Sequence, residues 1–156
     1  MTFSRRRLLS VLTALPITAV TLPATAQRRD VWTATAAYEA LTQDRIRLLD
    51  IRTPEEWRET GVAQGAWPLN LYDDKFPERL FLARDLAEER PVALICRTGN
   101  RSGGVMQRLR ASGYTNFLDI SEGMAGSAAG PGWIKSGLPI VSAEDAIANL
   151  PAALSA

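Results

Sequence analysis

Apolar positions along the chain switch between helical spacing and short continuous runs. Residues 33–43 have helical composition, with Ala37, Leu41 and Tyr38 on one face. Residues 46–51 form a short apolar run of strand length. Pro54 sits where a helix would begin, after Thr53 as candidate N-cap, with Glu55 and Glu56 in the first turn. Gly61 would end that helix. Residues 66–71 predict another short strand. Residues 77–89 predict a helix, with Leu80, Leu82, Ala83 and Leu86 at helical spacing and Pro91 as the break.

Val92-Ala93-Leu94-Ile95-Cys96 is apolar at every position. Such a strand is covered on both faces, as in a parallel sheet flanked by helices. A helix is expected from about residue 102 to 111, with Val105, Met106 and Leu109 buried and Gly113 at its stop. Residues 116–120 predict a further strand, and residues 142–156 an amphipathic terminal helix. The alternation βαβα predicts an α/β domain with a mainly parallel sheet. Ligands of such sheets sit at the carboxyl ends of strands, which is where Cys96 falls.

The first 26 residues stand apart from this pattern. Arg5-Arg6-Arg7 give a basic start, and residues 8–26 are uncharged. Ala24-Thr25-Ala26 is a small-x-small site, so residues 1–26 read as a signal peptide. Ser4-Arg5-Arg6-Arg7-Leu8-Leu9 also resembles a twin-arginine export signal, with an ordinary secretory signal as the alternative. Pro16, Pro23 and four Thr make the run weakly hydrophobic for a membrane span, so a membrane link is expected only through an uncleaved signal. The expected location is periplasmic or secreted, with residues 27–156 as one domain.

Charge and composition narrow the function. Removing residues 1–26 takes away three Arg and no acid, leaving 15 basic and 17 acidic residues. A slightly acidic chain without basic blocks gives no reason to expect nucleic acid as partner. There is no His, which removes Cys-His dyads and His-based metal sites; no metal or cofactor is expected. The single Cys permits no internal disulfide. A lone Cys in an oxidising compartment is either buried and inert or kept for its chemistry.

The loop Cys96-Arg97-Thr98-Gly99-Asn100-Arg101-Ser102 favours chemistry. Gly99 and Asn100 tolerate left-handed backbone, and such turns aim successive N–H groups into a nest. Ser102 is expected to cap the following helix, whose N-terminus carries partial positive charge. Arg97 and Arg101 add two full charges, while Gly103 and Gly104 would let the helix start pack closely against the sheet. A Cys in that field is expected to be largely thiolate, beside a pocket for an anion. A small buried hydrophobe would not call for two Arg, Gly and Asn together; a loop that binds phosphate or sulfate passively, with Cys incidental, is the other alternative, and the reactive reading is preferred to both.

Two Cys-headed cradles are known at the ends of central strands. The tyrosine-phosphatase pattern needs Arg as the sixth residue after Cys, and here that residue is Ser102. The other is rhodanese. Leu48-Leu49-Asp50-Ile51-Arg52-Thr53-Pro54-Glu55-Glu56-Trp57 resembles its first motif, and Gly61-Val62-Ala63-Gln64-Gly65-Ala66 its second, with Val62 in the region of the usual His. Residues 92–102 resemble its active strand and loop. Gly113-Tyr114, Glu122-Gly123-Met124 and the segment from Gly132-Trp133 to Gly137-Leu138-Pro139 resemble its closing motifs. The likeness spans about residues 33–140. Gly126-Ser127-Ala128-Ala129-Gly130-Pro131-Gly132 is an insertion, expected to be a flexible loop near the site.

The resemblance implies a three-layer domain and a single-domain sulfurtransferase. Cys96 would take sulfane sulfur from thiosulfate or a persulfide donor and pass it to cyanide or a thiol. The N–H groups of residues 97–102 would hold the anionic persulfide, and Arg97 and Arg101 would orient the donor. Asp50, Arg52 and Glu56 would be supporting scaffold. Trp57, Trp67 and Trp133 would be core or pocket wall. Two alternatives remain open: a sulfur or anion carrier docking to a periplasmic protein, and, with less support, a Cys-based phosphatase or arsenate reductase.

Overall fold

The computed structural model describes residues 30–155. The expected signal at residues 1–26 lies outside them. Five parallel strands form the central sheet: β1 (Val31–Trp32), β2 (Arg47–Asp50), β4 (Trp67–Pro68), β5 (Val92–Ile95) and β6 (Phe117–Ile120), in the order β1-β6-β5-β2-β4. A second, antiparallel pair joins β3 (Val62–Ala63) to β7 (Ile140–Val141). The helices are α1 (Ala34–Thr42), α2 (Pro54–Thr60), α3 (Phe76–Ala87), α4 (Asn100–Ala111), α5 (Gly132–Lys135), α6 (Ala143–Ala148) and α7 (Ala152–Ser155).

The all-apolar strand is central, as its composition requires. Every residue of β5 is buried between β2 and β6. Alternate residues feed two separate cores. Leu48, Ala93, Ile95, Leu118 and Ile120 pack with α1, Trp57, Trp133 and α6. Leu49, Leu94, Cys96 and Phe117 pack with α3, α4 and Leu154 of α7. The result is the expected helix–sheet–helix sandwich, with Cys96 facing the α3/α4 layer.

Local signals account for most boundaries. Thr33 caps α1 by accepting from the Ala36 N–H at 3.1 Å. Thr53 and Glu56 form a reciprocal capping box around Pro54. Gly61 ends α2 at φ 74°, where an added Cβ would crowd the Val141 carbonyl.

Four expectations are corrected. The strand at residues 66–71 is only Trp67–Pro68, and its pairing with β2 ends at the Leu69 N–H bond to the Asp50 carbonyl, 3.0 Å. The terminal helix is two short ones, α6 and α7, separated at Pro151. The helix after Cys96 begins at Asn100, two residues before its expected start. The insertion 126–132 is a tight turn closed by Ser127–Gly130 pairing, with the Ser127 hydroxyl donating to the Ser121 carbonyl at 3.0 Å.

Candidate active site

The register of the sheet brings the first and third rhodanese-like motifs together. Asp50 lies opposite Ile95, so β2 and β5 end side by side. The chain leaving β5 is then pinned from the other flank. The Met124 N–H donates to the Cys96 carbonyl at 2.8 Å, and the Ala125 N–H to the Arg97 carbonyl at 2.9 Å. These contacts are backbone on backbone. A Cβ on Gly123, at φ 68°, would meet the Arg97 carbonyl and the Thr98 nitrogen. Glu122-Gly123-Met124 is thus the buttress of the loop.

The loop turns at Gly99, whose φ of 84° is left-handed and whose missing Cβ leaves room for the Ser121 carbonyl. This turn points N–H groups back at the sulfur. The Gly99 N–H donates to Cys96 Sγ at 3.2 Å and the Ser102 N–H at 3.5 Å. The Ser102 hydroxyl lies 3.6 Å from Sγ and also donates to the Gly99 carbonyl at 3.1 Å. Two backbone donors and a hydroxyl thus surround the sulfur at the start of α4.

Three assignments change here. Ser102 does not cap α4; it sits within the first turn, and Gly99 is the cap position without a side-chain bond. Asn100 is the first helical residue and is not left-handed. Gly104 has open space around its Cα, and a Cβ on Gly103 would meet Asp119 Oδ2 at an ordinary 3.7 Å, so neither glycine is required for the packing of the helix start.

The two arginines of the loop occupy different positions. Arg101 holds Glu56 by a bidentate pair, Nη1–Oε2 at 2.7 Å and Nη2–Oε1 at 2.6 Å. That bond, with the Thr53 N–H, holds the Glu56 carboxyl down at about 2 against burial. Glu56 in turn raises Arg101 above its ordinary value. Arg97 is exposed and has no side-chain hydrogen bond or ion pair among the described residues. It borders a cleft of roughly 70 Å³ with Glu56, Glu59, Thr60, Ala125 and Ile134. Thr98 is half-buried and Asn100 exposed. Cys96 itself is fully buried.

Asp50 and Arg52 form a buried pair beneath this surface. Arg52 Nε lies 2.9 Å from Oδ1, and Nη2 lies 2.7 Å from Oδ2. Its remaining donors reach the Thr60 hydroxyl at 2.7 Å and the Gly61 carbonyl at 2.6 Å. Arg52 therefore ties the C-terminal end of α2 to the end of β2. Glu56 meets Arg52 only through its backbone carbonyl, at 3.3 Å. Its side chain belongs to Arg101.

Of two further buried acids, Glu122 was named by sequence reasoning only within a closing motif and Asp119 was missed. Glu122 accepts from the Ala34 N–H at the start of α1. Asp119 stands on β6 facing α4, near Ser102. Asp119 interrupts the apolar run Phe117-Leu118-Asp119-Ile120, and that was the available signal. Among the described residues no cluster of His, Cys, Asp and Glu is arranged to hold a metal ion.

The rhodanese-like domain model matches residues 33–129. An uncharacterised protein of Rickettsia conorii is 31% identical over 117 residues, covering 68% of this chain and 92% of its own. A sulfurtransferase of Allochromatium vinosum is 34% identical over 105 residues, covering 66% of this chain and 84% of its own. A crystal structure of a protein from M. tuberculosis superposes with TM-score 0.54 and 30% identity, covering 70% of this chain and 94% of that one. The chain belongs to the rhodanese-like domain family.

Proposed function

We propose that the chain is a sulfurtransferase working through a persulfide on Cys96. The observation that carries this is the convergence of the Gly99 and Ser102 N–H groups on Sγ, at 3.2 and 3.5 Å. The relationship to the Allochromatium sulfurtransferase supports it. A thiolate would attack the outer sulfur of thiosulfate, forming an S–S bond while sulfite leaves with the electron pair of the broken bond. The cradle would then hold the anionic Cys96 persulfide, as an oxyanion hole holds an alkoxide. Cyanide or a thiol would attack the terminal sulfur, and the Cys96 thiolate would leave. Covalent catalysis of this kind divides one transfer into two easier ones.

Intact-mass spectrometry after incubation with thiosulfate tests this. The expected result is a gain of one sulfur atom, lost on adding cyanide and absent in Cys96→Ser. A wild-type mass that never rises with any sulfane donor overturns the reading.

The complete burial of Cys96 favours a second reading, a carrier loaded and discharged only by a docked protein. Slow steady-state turnover with thiosulfate and cyanide, despite full loading, would select it. We also propose action outside the cytoplasm, on the strength of Arg5-Arg6-Arg7, the uncharged run and Ala24-Thr25-Ala26. With one Cys, the persulfide must then be discharged onto an external acceptor.

A further inference from the structure

Asp119 is the one charged residue in Phe117-Leu118-Asp119-Ile120, and it is 6% exposed. Its Oδ1 is buried without a hydrogen-bond partner. An unpartnered buried carboxylate oxygen costs free energy unless it gains a proton or a donor. The cation beside it is committed elsewhere, because Arg110 turns both Nε and Nη2 on Asp30 Oδ2. Burial pushes the Asp119 carboxyl up from its ordinary value, the direction of an acid short of donors. Yet the residue does not end in a closed core. It lines a cleft of roughly 460 Å³ with Val31, Gly103, Gln107 and Arg110. Gly103, Gln107 and Arg110 recur at helical spacing, so one face of α4 makes one wall. The edge strand β1 makes the other, with Val31 paired to Asp119. A Cβ on Gly103 would meet Asp119 Oδ2 at 3.7 Å and nothing nearer. The absent side chain leaves the approach to the carboxylate open.

We propose that this cleft binds a small organic cation with N–H donors, a primary ammonium on a short carbon chain, with the Asp119 carboxylate as its counter-ion. Charge sets the sign. Arg110 is neutralised by Asp30, so an ionised Asp119 leaves one negative charge uncompensated in the cleft. The ammonium supplies the donors that the fold withholds from this carboxylate, and a charge-assisted bond is the strong kind. Gln107 is exposed on the same wall, and its side-chain carbonyl can accept a further N–H. Val31 offers an apolar surface to the carbon chain. The volume is that of a small-molecule site. A bare metal ion fits less well, since among the described residues no group of His, Cys, Asp and Glu is arranged to hold one. The proposal goes beyond sulfur transfer and does not rest on it: no residue lining this cleft is a hydrogen-bond partner of Cys96 Sγ.

Nuclear magnetic resonance of the full, nitrogen-labelled chain tests this. The probe is n-butylammonium chloride. The controls are sodium chloride at equal ionic strength and tetramethylammonium chloride, which carries the charge without an N–H. The backbone amides of Gly103, Gln107 and Asp119 are expected to shift and saturate with butylammonium and to stay in place in both controls. Asp119→Asn keeps the shape and removes the charge. It is expected to weaken binding about tenfold or more, the loss of one charge-assisted hydrogen bond. Should that variant fail to fold, Gly103→Leu carries the test. Its Cβ meets Asp119 Oδ2 at an ordinary distance, its side chain fills the cleft, and binding must disappear while the acid stays. Shifts that never saturate, equal shifts with tetramethylammonium, or undiminished binding in either folded variant overturn the proposal. Intact mass after thiosulfate separates it from the sulfurtransferase reading. Normal sulfur loading without amine binding sinks the cation site alone, and amine binding without loading sinks the sulfurtransferase reading alone.

Discussion

Glu56 takes both terminal nitrogens of Arg101, 45 residues away, at 2.6 and 2.7 Å while also closing the capping box of α2 through the Thr53 N–H at 3.0 Å. One carboxylate thus fixes a helix start and the far side of the sulfur cradle. Arg101 is held in place by this pair, and its charge reaches a donor only from that fixed position.

Glu56→Gln should separate the two roles. Gln keeps the capping contact but loses the charge that clamps Arg101. The Glu56 carboxyl titrates at about 2 in the folded chain, against 4.5 ordinarily. A lowered carboxyl stabilises the fold fully above about pH 4.5, and that stability is lost as pH falls towards 2. The wild type should lose about 1–3 kcal/mol across this window. Denaturant unfolding at several pH values should show Glu56→Gln less stable at pH 7, with the two proteins converging near pH 2.

Arg52→Ala should be far more damaging than its distance from the sulfur suggests. Arg52 and Asp50 are 2% and 0% exposed, and removal of the guanidinium strands a buried carboxylate. Loss of one partner of such a pair costs about 3–5 kcal/mol. It also releases Thr60 and Gly61, which Arg52 ties to β2. The expected outcome is a strongly lowered Tm, read by circular dichroism, with any residual activity falling in proportion to the folded fraction.

Gly99→Ala should abolish the cradle without touching a reactive atom. The backbone there is at φ 84°, and the new methyl would collide with the Ser121 carbonyl. Relief requires the loop to move, and the Gly99 N–H would leave Sγ. Left-handed strain and the clash together should cost more than about 1 kcal/mol. Sulfur loading after thiosulfate should fall by orders of magnitude while the protein remains folded. Normal loading would show that the Gly99 N–H does not hold the persulfide.

These residues also mark how far the sequence could be read. The longer helices and the strands β2, β5 and β6 followed from periodicity, Pro and Gly, and the burial of β5 from its unbroken apolar run, while the two-residue strands β1, β3 and β7 and the single turn α5 are too short to show a period. Thr53 was legible as a cap because an N-cap is local, while Glu56 was read as first-turn charge and scaffold and not as the other half of a capping box. The Glu56–Arg101 pair was not legible, because the register of β2 on β5 creates it. Ser102 was read as a cap because its chemistry fits one. Gly99 holds that place instead, since the turn there needs a left-handed residue and α4 starts immediately after it. Asp119 was passed over inside a strand, although a lone acid among Phe117, Leu118 and Ile120 had to be either paired or protonated. The terminal helix was drawn too long because amphipathic spacing continues across Pro151 while the backbone cannot.

Arg97 offers the contrasting case to Arg101. Its guanidinium is exposed, lacks a side-chain partner among the described residues, and borders the cleft with Glu59 and Ile134. A charge with no structural bond contributes little to folding, so Arg97→Ala should change stability by no more than about 0.5 kcal/mol. Its field should matter for capture of an anionic donor. KM for thiosulfate should rise several-fold with kcat little changed, and the difference from wild type should shrink as salt is added, because exposed charges are screened. Arg97→Lys should restore most of the effect, since a point charge suffices for attraction. An equal loss in Arg97→Lys and Arg97→Ala would instead mean that the planar guanidinium makes a specific bond to the donor.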